Sequence, residues 1–210
     1  MKAIKYIISI IVIVAIAYNS VYFKKLDEVK ASQSAKEFNP YAYAQTFWNS
    51  TLIPNLNKAI DITQLISMLS TDPEKTFTAY SHALGIGNLR YFLVKGEGTI
   101  TSINEDDISV SLDSNKQSIT LATEYIFGNA VRDATGLINI NEFNNTMDFN
   151  NVSAELNKII REKVLPPFKQ QAKKGNTIEF TGAIELNKEH LDLSNIEVTP
   201  VKITLMRDEQ

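Results

Sequence analysis

The sequence predicts an α+β protein in three consecutive parts: an N-terminal apolar helix, a layer of short helices, and a small β-sheet with one further helix. Residues 6–23 are almost wholly apolar. Apolar residues between positions 38 and 82 recur at helical spacing, and those after position 92 alternate with polar residues. We therefore expect a membrane or signal segment at 1–23, a stalk at 24–37 and a single domain at 38–210.

The N-terminal apolar segment runs from Tyr6 to Phe23 and has two lysines on each side. As a helix rising about 1.5 Å per residue it would extend roughly 27 Å, just enough to cross a bilayer. We expect an uncleaved anchor for a domain that faces the periplasm or cell exterior. The alternative is a signal peptide cleaved after Ala17, at the small-residue sequence Ala15-Ile16-Ala17. A buried core helix is a third interpretation, weakened because the run is apolar on all sides.

Composition excludes several classes of function. The 210 residues carry a net charge of −3 with a pI of about 5.5, whereas nucleic-acid binders usually present a basic stripe. Nucleic acid is therefore disfavoured as a partner. The chain has no cysteine, which excludes disulfides, zinc–thiolate sites, thiol nucleophiles and lipid attachment through a cysteine. We expect no cofactor and no metal.

Three short helices are predicted in the helical layer. Each begins with a polar side chain suited to capping, and two of these caps are followed by a proline at the first helical position. The predicted caps are Asn39, Asp61 and Asp72. Pro54 should kink or end the first helix. Gly85 and Gly87 should stop the third helix soon after His82.

Five strands and one amphipathic helix are predicted in the second half. Alternating apolar residues predict strands at 92–100, 108–112, 119–127, 178–186 and 196–205. The helix covers 152–168, and Pro166-Pro167 should end it. Gly96 and Gly98 in the first strand indicate coiling or a close backbone approach. A change of phase at Pro200 indicates a bulge.

The order of these elements is strand, strand, strand, helix, strand, strand. This is the order of the oligomer-binding (OB) fold, a five-stranded Greek-key barrel. We therefore expect an OB-like five-stranded antiparallel barrel with its helix between strands 3 and 4. The alternative is an open antiparallel sheet packed on helices.

Between about Phe38 and Val201 the chain resembles the bacterial family of predicted periplasmic lipoproteins catalogued as domain of unknown function 2291. The matching residues are Tyr43-Ala44, Phe47-Trp48, Leu52-Ile53-Pro54, Phe92 to Thr99, Gly128, Arg132-Asp133-Ala134, Gly136-Leu137-Ile138, Phe143, Asn145 and Phe180-Thr181-Gly182-Ala183. The resemblance implies an OB-like fold and an accessory role beside sugar ABC transporters. Members typically carry a lipobox cysteine, which this chain lacks. Anchoring would then depend on the apolar segment, and the family supplies no catalytic residues to carry over.

Two groups of residues are candidates for ligand binding. Arg132 and Asp133 lie in a glycine-flanked loop, where an arginine fork and a carboxylate could hold an anion or sugar hydroxyls. The alternative is that they tie the loop to the barrel. Lys95, Glu97 and Glu179 could form a charged face of the barrel, or simply a solvated one. Asn145 belongs to an amide-rich loop, where amides suit either carbohydrate or turns.

Other residues are assigned structural roles. The run Glu105-Asp106-Asp107 is interpreted as a turn because it lacks the spaced ligands of a calcium loop. The two histidines, His82 and His190, are far apart and have no clustered carboxylates. Trp48 and its aromatic neighbours could stack on a sugar, but their helical spacing favours the core.

Three functions remain open at this point. The first is a non-enzymatic, membrane-tethered extracytoplasmic protein that binds a partner protein or small solute, such as a transporter component or a sugar. The second is an OB module for oligosaccharide or nucleic acid. The third is a hydrolase with paired carboxylates, for which Glu97 and Asp133 are the best residues. A pocket with two close carboxylates, one of raised pKa, would favour the third.

Overall fold

The computed structural model of the protein describes residues 18, 38–84, 87–114 and 116–206. The elements below belong to the unit from Asn39 to Gln210. The expected anchor from Tyr6 to Phe23 and the stalk at 24–37 lie outside the described residues, apart from Tyr18. Within the described ranges, none of the helices has the length and apolar character needed to cross a bilayer.

The helical layer has the three predicted N-caps, which are confirmed. Its helices are α1 (Pro40–Phe47), α2 (Ile53–Asn55), α3 (Ile62–Thr71) and α4 (Pro73–Tyr80). The Oδ1 atoms of Asn39, Asp61 and Asp72 accept hydrogen bonds at 2.9, 3.0 and 3.1 Å from backbone N–H groups three residues further on. Each cap satisfies a donor that the first helical turn leaves unpaired. The last helix ends at Tyr80, before the predicted glycine stop.

The sheet has six strands rather than the predicted five. They are β1 (Ile60–Asp61), β2 (Leu89–Ile103), β3 (Asp107–Leu112), β4 (Ser118–Ala122), β5 (Thr177–Asn187) and β6 (Glu197–Leu205). Strand β1 pairs parallel to β2 at two positions. It went unpredicted because its two residues are too few to show an alternating pattern.

Five of the strands close into a ring in the order β2-β3-β4-β6-β5, because β5 pairs back onto β2. The β4–β6 pair is parallel, so the expectation of a wholly antiparallel barrel is wrong at that pair. A long helical connection between β4 and β5 makes the parallel pairing possible. The predicted bulge is present: Gly182 pairs with Pro200 and Thr181 with Lys202, which leaves Val201 as the extra residue.

Glycine lets the backbone approach closely where β2 crosses the barrel. A Cβ on Gly96 would lie 2.8 Å from the Phe180 ring, and one on Gly98 would lie 2.6 Å from the Ser111 carbonyl oxygen. Strand β2 pairs with β5 along one edge and with β3 along the other. The predicted close approach is therefore confirmed.

The connection from β4 to β5 carries more structure than predicted. It contains α5 (Ala130–Asp133), a 3-10 turn (Ile140–Glu142), α6 (Thr146–Ile159), a π-helical turn (Ile160–Val164) and α7 (Leu165–Lys169). The expected loops around Arg132 and Asn145 therefore contain α5, the 3-10 turn and the N-cap of α6. Strand β4 ends at Ala122, so the assignment of Tyr125 and Phe127 to it is wrong.

The expectation that Pro166-Pro167 ends the amphipathic helix is also wrong. The helix continues to Lys169, because the preceding π turn bonds the Leu165 N–H to the Ile160 carbonyl, five residues back. A second π turn, Trp48–Leu52, precedes Pro54 in the same way. Prolines lack the N–H and crowd the preceding turn, and the wider π turn absorbs both effects.

Candidate functional site

A cleft outside the barrel is the strongest candidate site. It has a volume of about 260 Å³ and lies where the chain leading into α5 passes over β5 and β6. We call it the aromatic cleft; it is lined by Phe127, Asn129, Ala130, Ala183, Glu185, Glu197 and Thr199.

Strand alternation supplies two walls of the aromatic cleft. Ala183 pairs with Thr199, and the two residues that flank Glu185, Ile184 and Leu186, belong to the core at 1% and 5% exposure. Period two therefore places Glu185 on the outer face. Helix α5 packs against β2, β5 and β6, which closes the cleft on its third side.

Phe127, which lines the cleft, belongs to an exposed pair of aromatic rings with Tyr125. Tyr125 and Phe127 are 63% and 69% exposed, and their rings stack with centroids 6.3 Å apart and planes inclined by 21°. The Arg161 guanidinium carbon lies 5.9 Å from the Phe127 ring centroid, and Arg161 Nη1 donates to the Ile126 carbonyl at 2.5 Å. Adjacent exposed aromatics beside a polar cleft are typical of a binding surface.

The cleft is acidic, and its carboxyl groups differ in environment. Partial burial, followed by the charge of Asp107, raises the pKa of Glu197. Glu185 lies opposite Tyr91 in the β2–β5 ladder and accepts a hydrogen bond from its hydroxyl. Burial, Glu185 and Asp133 together raise the pKa of Tyr91 to about 12. The tyrosine is thus held as a neutral donor that fixes one carboxylate.

The remaining lining groups complement the carboxylates. Asn129 Oδ1 accepts from Ser153 Oγ at 3.0 Å, so its amide nitrogen is the group left to donate. Thr199 adds a hydroxyl. Two acceptors, one amide donor, one hydroxyl and an aromatic face together suit a small solute rich in hydroxyl groups.

The predicted pair Arg132 and Asp133 lies in α5, beneath this cleft, and both side chains are only 4% exposed. Arg132 forks onto its neighbour: Nε donates to Oδ1 at 2.6 Å and Nη2 to Oδ2 at 3.0 Å. Its Nη1 reaches the Phe149 carbonyl at 3.2 Å, and its guanidinium carbon lies 3.5 Å from the Phe149 ring centroid.

These contacts join the two side chains to each other and α5 to α6. The structural alternative expected hydrogen bonds to the barrel, and the contacts go to α6 instead, while the ligand-binding role of the pair stays a prediction. Asn145 likewise caps α6, since its Oδ1 accepts from the Asp148 backbone N–H at 2.8 Å.

Lys95, Glu97 and Glu179 come together in a second cleft of about 330 Å³, with Asp61 and Asp113 nearby. Glu97 and Glu179 lie directly opposite each other in the β2–β5 ladder. Like charges in such a pair repel, and Lys95 is the one cation among the residues that line this cleft. Among the described residues, no three His, Cys, Asp or Glu side chains form a group that could hold a metal ion.

The hydrolase hypothesis placed Glu97 and Asp133 together, and the fold separates them. Glu97 is exposed in the second cleft, whereas Asp133 is buried against Arg132. Trp48 is 8% exposed and belongs to the core. Asp106 takes part in the predicted turn, where its carbonyl accepts from the N–H groups of Thr123 and Glu124.

The outer face of β3 and β4 is small and polar. Its side chains are Asp107, Ser109, Ser111, Ser118 and Thr120, all at alternating positions. OB folds that bind oligonucleotides use the face of their second and third strands, with aromatic and basic groups for stacking and phosphate contact. The described part of β3 and β4 offers neither, which argues against nucleic acid.

Sequence reasoning missed Phe127, Glu185 and Glu197 as site residues. The first was assigned to a strand, and the two glutamates lie on different strands whose pairing is invisible in one sequence. The one available signal was the aromatic pair Tyr125 and Phe127. The last residue of β4 that pairs with β3 is Ala122, so both aromatic residues lie beyond the paired part of the strand.

Comparisons with known proteins agree with this architecture. A family described as predicted periplasmic lipoprotein (DUF2291) matches residues 11–204, and the chain therefore belongs to this family. The chain is similar to an OB-fold protein from Thermotoga maritima whose crystal structure is known, at 29% identity and a TM-score of 0.73. That similarity covers 81% of this chain and 100% of the other. No curated protein matches the chain.

Proposed function

We propose that the protein is a non-enzymatic extracytoplasmic binding protein that holds a small polyhydroxylated solute, such as a sugar, in the aromatic cleft. The observation that carries the proposal is the stacked, exposed pair Tyr125 and Phe127 beside the carboxylates of Glu185 and Glu197. Membership in a family of predicted periplasmic lipoproteins supports the location. A sugar-uptake system is the partner that this ligand class favours.

Calorimetric titration of the full chain with a panel of hexoses and pentoses tests the ligand class. We expect one sugar to bind, and Phe127→Ala and Glu197→Gln each to weaken it about tenfold, which corresponds to one good contact. Tyr41→Ala and Glu105→Gln are matched controls, because both side chains are exposed and neither lines the cleft. If no sugar in the panel binds, or if the controls weaken binding equally, the proposed site is wrong.

A glycoside hydrolase is the second candidate, because Glu197 has a raised pKa and shares the cleft with Glu185. Incubation with aryl glycosides of the bound sugar separates the two functions. We expect binding without release of the aryl group. Release that disappears in Glu197→Gln would replace the binding proposal with catalysis.

Anchoring is tested separately by the intact mass of the mature protein from membranes. The mass of the full chain would support an uncleaved anchor at Tyr6 to Phe23. A mass lacking Met1 to Ala17 would show that the segment is a cleaved signal peptide.

A further inference from the structure

A third cavity, of about 350 Å³, lies between the helical layer and the chain that follows α5. We call it the His82 cavity. The lining residues that decide its chemistry are Lys58, Ile60, Tyr80, His82, Leu93 and Leu137. It shares none of these residues with the aromatic cleft.

Two contacts hold His82 in position. Its backbone forms a two-way bridge with Tyr91, through N–H···O distances of 2.8 and 3.0 Å. Its imidazole packs on Gly136, where a Cβ would collide with Nδ1. Gly136 has φ +63°, a conformation that glycine adopts without strain. The backbone turn therefore makes room for the ring at the edge of the cavity.

The cavity differs in charge from the rest of this acidic protein. Its lining contains Lys58, His82 and Tyr80 as titratable groups and no carboxylate. Within the described part of the chain, the Lys58 ammonium and the His82 imidazole make no ion pair and no side-chain hydrogen bond. Ile60, Leu93 and Leu137 form an apolar wall beside them.

We propose that the His82 cavity binds a small organic carboxylate, whose charged end lies against Lys58 and His82 and whose apolar tail contacts Leu93 and Leu137. A charge-assisted contact to an ammonium and a second one to a ring N–H are the means by which proteins hold carboxylates. The volume falls within the roughly 300–1,000 Å³ typical of small-molecule sites. Partial burial lowers the pKa of the unliganded His82, and a bound anion would act in the opposite direction.

The two histidines make a direct test possible. Histidine ring signals of the full chain are followed by NMR during titration with butyrate at constant ionic strength. We expect the His82 signals to move and the pKa of His82 to rise, because a nearby negative charge favours the protonated ring. His190 does not line the cavity, so it serves as the internal control and should not move. Unchanged His82 signals at saturating butyrate would overturn the proposal.

A variant series tests the residues. Lys58→Gln should weaken butyrate about tenfold, the loss expected for one charge-assisted contact. The fold should persist, because Lys58 is exposed. Lys174→Gln, an exposed lysine elsewhere, is the matched control and should leave affinity unchanged.

Inorganic phosphate separates a carboxylate site from a general anion site. It carries charge without an apolar tail, so it should shift the His82 signals less than butyrate at equal concentration. Equal shifts with both anions would overturn the assignment to organic carboxylates. Because the sugar titration concerns a different cavity, its failure and this one are distinguishable.

Discussion

The ring of Phe180 fills the space that a side chain on Gly96 would occupy. The two residues are paired across β2 and β5, and a Cβ on the glycine would lie 2.8 Å from the Phe180 Cζ atom and 2.8 Å from Ile62 Cγ2. Phe180 is 1% exposed and Ile62 is fully buried. Because Gly96 has no side chain, β2, β5 and helix α3 of the helical layer can pack against one another at this point of the core.

Gly96→Ala should therefore destabilise the protein by about 1–3 kcal/mol, the usual effect of overpacking a filled core. Gly87→Ala is the matched control, because nothing lies within 4 Å of its Cβ position. That variant should be neutral or slightly stabilising. Chemical denaturation of both variants checks the prediction, and equal effects at the two sites would contradict it.

Arg132→Met should destabilise the protein strongly, by about 3–5 kcal/mol, because it leaves the buried carboxylate of Asp133 unpaired. The double variant Arg132→Met, Asp133→Leu should lose less, since no unpaired charge remains. Lys174→Met controls for the loss of an exposed cation. Urea titration gives the three free energies of unfolding. A nearly unchanged stability for the single variant would favour the ligand-binding interpretation of Arg132.

Thr123→Val should leave stability unchanged or raise it by up to about 1 kcal/mol. Thr123 is buried, and its hydroxyl oxygen makes no hydrogen bond with any described residue. Thr76 is an equally buried threonine whose hydroxyl donates to the Asp72 carbonyl at 2.7 Å. Thr76→Val should therefore cost about 1 kcal/mol. Thermal unfolding of the two variants tests the contrast, and the reverse order would refute it.

His82 should make the protein less stable as the pH falls. Burial lowers its pKa below the ordinary value of 6.5, so the unfolded chain takes up a proton first. The stability difference between the wild type and His82→Gln should be constant above about pH 6.5. Below it, the wild type should lose stability relative to the variant until the folded protein also protonates. Urea unfolding from pH 5 to 8 measures this, and a difference that does not vary with pH would contradict it.

A chain that begins at Phe38 should be soluble and folded, because it lacks the long apolar run. Circular dichroism should show both helix and strand, with one cooperative thermal transition. Aggregation or an absence of regular structure would contradict the division into an N-terminal segment and a folded domain.

Local chemistry made much of the fold predictable. Asn39, Asp61 and Asp72 cap their helices as expected, because each cap depends on residues only a few positions away. The prediction that Pro166-Pro167 ends the helix failed, because the backbone can adopt a π turn in place of a regular α-helical turn. A π turn allows the helix to pass Pro166, and the sequence contains no short-range signal for it.

The candidate site was less predictable, because it depends on pairing between distant strands. Lys95, Glu97 and Glu179 were expected to share a face, and alternation along neighbouring strands does bring them into one cleft. The proximity of Glu185 to Glu197 depends instead on the register in which β5 pairs with β6. The cleft around them depends on where α5 packs against these strands. Burial of Arg132 was likewise decided by α6, a tertiary contact rather than a local one.

The ring closure between β2 and β5 also bears on how the protein is made. The strands that close it are separated by more than a third of the chain, so most of the sequence must be synthesised before they can meet. Bringing such distant strands together costs conformational entropy before their contacts can form. Sheet-rich domains with pairings of this kind fold slowly, in milliseconds to seconds. Until β5 has been synthesised the ring of strands cannot close, so the barrel is completed only late in synthesis.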